Sequence, residues 1–223
     1  MNVKEFLEAI IKFISGVIIV GLLLFVPAGT IDFFNGWLLM GLLFIPMFIA
    51  GIVLMFKNPE LLKRRLNAKE KEKEQKEVVL LSGVMFLLGF ILAGLNFRLK
   101  WIILPNIVVI ISTIVFLLAY LLYAEILREN TFLSRTIGVE KKQKVVDTGF
   151  YKIVRHPMYM ITIFLFLAMP LILGSLHSFI VFLIYPFIII KRIKNEEKVL
   201  ERELEGYTEY QKKVKYRLIP YIW

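Results

Sequence analysis

Charge along this chain is bunched, and between the bunches lie six stretches of hydrocarbon side chains almost free of Asp, Glu, Lys or Arg: 10–26, 33–56, 78–97, 102–123, 158–173 and 176–190. A helix needs about 20 apolar residues to cross the hydrocarbon of a bilayer. Within lipid, only helices and closed barrels satisfy their own backbone polar groups. The expected fold is therefore all-α: a polytopic membrane helix bundle of about six transmembrane segments. Composition agrees, because a soluble domain of 223 residues could not bury side chains that are 58% hydrophobic. Lys12 lies near the end of the first run and can snorkel, and Pro46 is a kink point in the second. The first run continues to Val26 without a small-residue cleavage site, so no removed signal is expected.

The last two runs are each shorter than a straight span and are separated only by Gly174 and Ser175. They read as a tight C-terminal helical hairpin, 158–190, with a partly re-entrant pair as the alternative. Basic residues set the expected orientation. With both termini inside, the inner segments carry 2, 8, 7 and 9 Lys and Arg, and the outer loops hold only Arg98 and Lys100. That distribution follows the positive-inside rule, and it places both termini and any polar site on the cytoplasmic side. The net charge of +10 is then accounted for by topology and contact with anionic lipid heads, without nucleic acid.

With no Cys and two His, the chain offers no disulfide, no thiolate nucleophile and no His or Cys metal cluster, so no metal site is expected. The Lys/Glu run 62–77 reads either as a solvated helical connector with i,i+4 pairs or as a partner- or lipid-binding helix. The chain divides into a four-span membrane region, 1–124, and a C-terminal region, 125–223. Polar chemistry has room only in the two long segments 125–155 and 191–223, which the hairpin between them brings together.

The first of these ends in Val145-Val146-Asp147-Thr148-Gly149-Phe150-Tyr151 and then Arg155-His156-Pro157-Met158-Tyr159. Gly149 permits a tight turn, and Pro157 suits a first helical turn. Arg155 and His156 are either anion-binding groups beside that helix start or a basic interfacial anchor. In the second segment Arg192 and Glu196 lie four apart, on one helix face, where an ordinary interfacial ion pair is the plain reading. Tyr207, Tyr210, Tyr216 and Trp223 read as interfacial aromatics, and His177 is given no role.

The stretch QKVVDTGFYKIVRHPMY (143–159), then an apolar hairpin, then RIKNEEKVLERELEGYTEYQKKVKYRLIP (192–220) resembles the isoprenylcysteine carboxyl methyltransferase and phospholipid N-methyltransferase superfamily of integral membrane methyltransferases. The likeness covers roughly the last 95 residues and rests on two separated motifs in the right order. It implies S-adenosyl-L-methionine as cofactor, held in a cytoplasmic pocket between the motifs, with a lipophilic or lipidated substrate entering from the bilayer. Carried over by position, the cofactor site falls on Gln143, Lys144, Val145, Val146, Tyr151, His156, Pro157, Met158, Tyr159 and Glu196. Arg192 falls where carboxyl methyltransferases place the arginine that meets a substrate carboxylate, and His156 or Glu196 is the available base. Gln143 stands where a His is frequent. The usual Phe-Gly is replaced by Glu203-Leu204-Glu205-Gly206, which requires a one-residue gap after Leu200. The resemblance implies carboxyl O-methylation of an isoprenylcysteine-like substrate, with phospholipid N-methylation as the alternative. An NADPH-dependent sterol-reductase-like enzyme and a non-catalytic scaffold are the remaining readings.

Overall fold

A computed structural model describes residues 3–67, 70, 72–140 and 143–223. Parts of the charged connector (68, 69 and 71) lie outside the described residues. The helices are α1 (Val3–Ala28), α2 (Phe34–Lys57), α3 (Pro59–Leu66), α4 (Lys73–Leu99), α5 (Asn106–Glu129), α6 (Pro157–Ile172), α7 (Leu176–Phe182), α8 (Tyr185–Glu203) and α9 (Tyr207–Lys213). Five helical segments are long and apolar enough to cross a membrane, and α6 is a shorter apolar helix. The polytopic helical bundle is thus as the hydropathy requires, with six apolar segments.

One expected span is broken. The run 176–190 is two helices, α7 and α8, with a turn at Leu183 and Ile184. Pro186 supplies the cause, since it donates no N–H and its ring clashes with the carbonyl four residues back, which is Phe182. The hairpin also turns where expected: Gly174 has φ +71°, and the Ser175 hydroxyl caps α7 by accepting from Ser178 N at 3.2 Å.

A single apolar core runs through the bundle and draws buried residues from α1, α2, α4, α5, α6, α7 and α8. Around it, Phe86 meets Phe166 and Phe182 edge-on at centroid distances of 4.9 and 5.3 Å. The α1–α4 contact is closer still. A Cβ on Gly94 would stand 2.5 Å from the Leu24 carbonyl oxygen and 3.0 Å from Ala28 N, so only glycine lets these backbones meet.

The connections sort by end. At one end Leu104 N donates to Gly174 O (3.1 Å), and His177 Nδ1 lies 3.1 Å from Asn96 Oδ1 with its ring against Trp101. His177 therefore has a structural part in joining the short loops. At the charged end the connector does not float. Arg64 donates to Thr131 O (2.6 Å), Lys191 pairs with Glu77, and Gln75 Nε2 donates to Arg192 O (3.3 Å). Several of its polar side chains thus reach neighbouring elements.

Gly83 and Gly94 share α4 but not an environment: nothing lies within 4 Å of a Cβ built on Gly83. Gly83→Ala should raise stability by about 0.5–1 kcal/mol through reduced backbone freedom. Gly94→Ala should lower it by roughly 1–3 kcal/mol by forcing two backbones apart. Thermal unfolding in detergent of the two variants checks the pair; equal shifts would mean that α1 and α4 do not meet at Gly94.

Candidate functional site

The order hairpin-between-motifs works as the sequence suggests. The segment after α5 folds back, α6 descends from it, and α8 returns to the same end, so residues 130–159 and 192–210 face one another across a cleft. Gln143, Lys144, Val145, Val146, Tyr151, His156, Met158, Tyr159, Arg192 and Glu196 all line it; Pro157 does not, being the first residue of α6. The space between them, counting the open mouth, is about 800 Å³.

The turn that delivers Tyr151 depends on Gly149. Its φ is +43°, and a Cβ there would lie 2.1 Å from Glu129 Oε1. The Glu129 carboxylate, at the end of α5, accepts from Thr148 Oγ1 (2.7 Å) and Phe150 N (3.3 Å) and so fixes the turn. Tyr151 is buried; its hydroxyl accepts from Asn130 Nδ2 (3.1 Å), and its carbonyl accepts from the Tyr210 hydroxyl (2.7 Å).

Glu196 and Glu197, adjacent on α8, have different surroundings. Glu197 is 2% exposed and is the ionic hub. Its Oε1 accepts from Arg155 Nε at 2.7 Å and lies 3.3 Å from His156 Nε2, and its Oε2 accepts from Arg217 Nε at 2.6 Å. Arg155 also donates to the carbonyls of Val214 and Lys215 at 2.7 and 2.9 Å. Arg155 is thus neither an interfacial anchor nor a free anion-binding group: it ties the tail to the hairpin. The backbone N–H groups of Arg155 and His156 are likewise taken, by Tyr216 O and Arg217 O at 2.9 Å each.

Glu196, by contrast, is half-buried at the cleft wall. Arg192 and Glu196 are linked through the Tyr159 hydroxyl, which donates to Glu196 Oε2 (2.5 Å) and accepts from Arg192 Nε (2.7 Å). Arg192 also donates from Nη2 to Arg135 O at 2.8 Å.

Sequence reasoning passed over three parts of the site. Tyr207 and Tyr210 are each 4% exposed and line the cleft, so they are not interfacial aromatics. With Leu204 and Val214 they form a small second apolar cluster, and that spacing of apolar residues was the available signal. The polar stretch 130–138, too short and polar for a span, forms the facing wall. Third is the Glu197 hub, whose partners are scattered over 60 residues of chain.

The residues suit a nucleoside cofactor that carries an amino acid. The Tyr207 hydroxyl is buried with no hydrogen-bond partner among the described residues, and buried hydroxyls ordinarily have one. Burial, and then the charges of Glu197 and Glu196, push its pKa up, so it stays a donor. Glu196 offers a carboxylate for an ammonium group, and Val145, Val146, Met158, Leu200 and Leu204 give an apolar lining for a ring.

Fold and cleft together define a polytopic membrane protein with an open polar cleft built where its last two apolar segments meet the charged end. Residues 107–205 match the family model of phospholipid methyltransferases, a stretch that begins in α5 and ends just before α9, somewhat under half of the chain. Over that stretch the resemblance to the integral membrane methyltransferases holds. The chain is also 29% identical over 91 residues to the Delta(14)-sterol reductase of Mus musculus. That similarity covers 40% of this chain and 22% of the reductase, so the chain spans about a fifth of the curated relative's length.

Glu197→Gln should unfold the tail or the protein, because removing one side of a buried ion cluster costs roughly 3–5 kcal/mol. Glu196→Gln should leave the unfolding temperature near wild type and weaken cofactor affinity. Thermal unfolding and S-adenosylhomocysteine titration of both variants check this; a destabilised Glu196→Gln beside a stable Glu197→Gln would reverse the assignment.

Proposed function

We propose that the chain is an integral membrane methyltransferase that uses S-adenosylmethionine and methylates an acceptor delivered from the bilayer. The observation that carries this is the meeting of both motifs on one cleft containing an accessible carboxylate, Glu196, and an unpartnered phenol, Tyr207. When bound, the cofactor supplies an electrophilic methyl group on a sulfonium. The protein's own tasks are then binding, alignment and exclusion of water. Glu196 and the Tyr207 hydroxyl would hold polar groups of the cofactor, with Val145 and Met158 against its ring. The distribution of Lys and Arg supports a cytoplasmic cleft and cytoplasmic termini.

For the acceptor, the family match supports a phospholipid-type amine. The motif position of Arg192 favours a second reading, carboxyl O-methylation of an isoprenylcysteine-like substrate. Arg192 Nε and Nη2 are already donated to Tyr159 and Arg135, so one edge of the guanidinium is taken and an incoming anion meets the other. His156 is engaged with Glu197, which leaves it a poor candidate for the base.

Purified protein given methyl-labelled cofactor and host lipid extract should move label into the lipid fraction. An amine acceptor keeps that label in base, whereas an ester releases it as methanol. Absence of transfer together with NADPH oxidation would replace the methyltransferase reading with a reductase one.

A further inference from the structure

At the rim of the cleft the stretch 131–137 is gripped from two sides by Arg65 and Arg192, which make no direct ion pair among the described residues. Arg65, in the last turn of α3, donates to Ser134 O at 3.4 Å and to the Tyr123 hydroxyl, and its guanidinium lies 5.6 Å from the centre of the Tyr123 ring. Arg192 reaches the next residue from the other side, at Arg135 O, with its guanidinium 5.6 Å from the Tyr159 ring. Between these anchor points stands Arg135. It is exposed, and its side chain makes no hydrogen bond or ion pair among the described residues.

Two acids face this group. Glu70 accepts from Ile137 N and Glu72 N at 3.2 Å each, and Glu196 accepts from Tyr159. Three guanidiniums therefore share a rim with two carboxylates, Glu70 held by backbone N–H groups and Glu196 by the Tyr159 hydroxyl on one of its oxygens. Partial burial, and then the neighbouring charges of Arg65 and Arg192, lower the pKa of Arg135. A cluster of this kind gains when a monoanion joins it.

We infer that Arg65, Arg135 and Arg192 form a phosphate site at the mouth of the cleft. Guanidiniums arriving from three elements, α3, the 131–137 stretch and α8, match a tetrahedral anion with oxygens in several directions better than a planar carboxylate. Stacking on Tyr123 and Tyr159 fixes two of the guanidiniums in advance, while Arg135 is the one left free to close on a ligand. On the methyltransferase reading, the phosphate is that of the acceptor's headgroup.

Titration in detergent with dihexanoyl phosphatidylethanolamine, dihexanoylglycerol and inorganic phosphate tests this, with S-adenosylhomocysteine affinity measured alongside. Arg135→Gln should weaken phosphatidylethanolamine binding roughly 10- to 100-fold, the loss of one charge-assisted contact. Arg135→Lys should recover most of it, dihexanoylglycerol affinity should not change, and inorganic phosphate should compete. Cofactor affinity should be the same in all three proteins. Unchanged phospholipid affinity in Arg135→Gln, or an equal loss for dihexanoylglycerol, overturns the proposal. Binding of inorganic phosphate without the lipid overturns the headgroup assignment. A wild-type protein that binds S-adenosylhomocysteine but no phosphate-bearing probe defeats the phosphate site and leaves the methyltransferase standing. Phosphate binding without cofactor binding defeats only the latter.

Discussion

Glu197 sits on α8 with its carboxylate almost wholly shielded from water, and it is tolerable there only because Arg155, His156 and Arg217 converge on it. A lone buried carboxylate would be costly; so would the buried guanidinium of Arg155 without it. The partners come from two parts of the chain: Arg155 and His156 at the entry to α6, and Arg217 in the tail beyond α9. One ionic cluster therefore fixes where the tail lies, and the tail carries the backbone carbonyls that hold Arg155 in place. The geometry of the cleft follows, because α9 closes it with Tyr207 and Tyr210 only while the tail is held.

The membrane segments were the most legible part of the sequence, since lipid imposes a length and an absence of charge that single residues cannot disguise. The break between α7 and α8 was also written there, in Pro186, but an unbroken apolar run hides a helix break from any reading of hydropathy. Within the site, residues carried by local motifs, such as Val145, Tyr151 and Tyr159, were legible and share the cleft. Glu196 and Glu197 look identical in sequence, and adjacent helical positions differ by about 100° in direction. Which one faces the core is decided by Arg155 and Arg217, both distant along the chain. Tyr207 and Tyr210 were misread for a similar reason: near a membrane, an aromatic at an interface and an aromatic under a tail have the same local context.

Electrostatics also separates two zones of the same cleft. Toward the tail, the Glu197 carboxylate is taken up by Arg155, His156 and Arg217, and the groups left to face a ligand are Glu196 and the Tyr207 hydroxyl, suited to a cationic cofactor. Toward α3, the arginines outnumber acids, suited to an anion. Tyr159 lies between the zones, donating to Glu196 and accepting from Arg192. On the proposed function, a cation held at one side and an anion at the other would align a methyl donor with a headgroup.

The central claim is that the two motifs close one cleft around S-adenosylmethionine. Calorimetric titration of the purified wild-type protein with S-adenosylhomocysteine and, separately, with NADPH measures it most directly. Saturable one-to-one binding of S-adenosylhomocysteine, with no heat from NADPH, is the result predicted. Binding of NADPH with none of S-adenosylhomocysteine would contradict it.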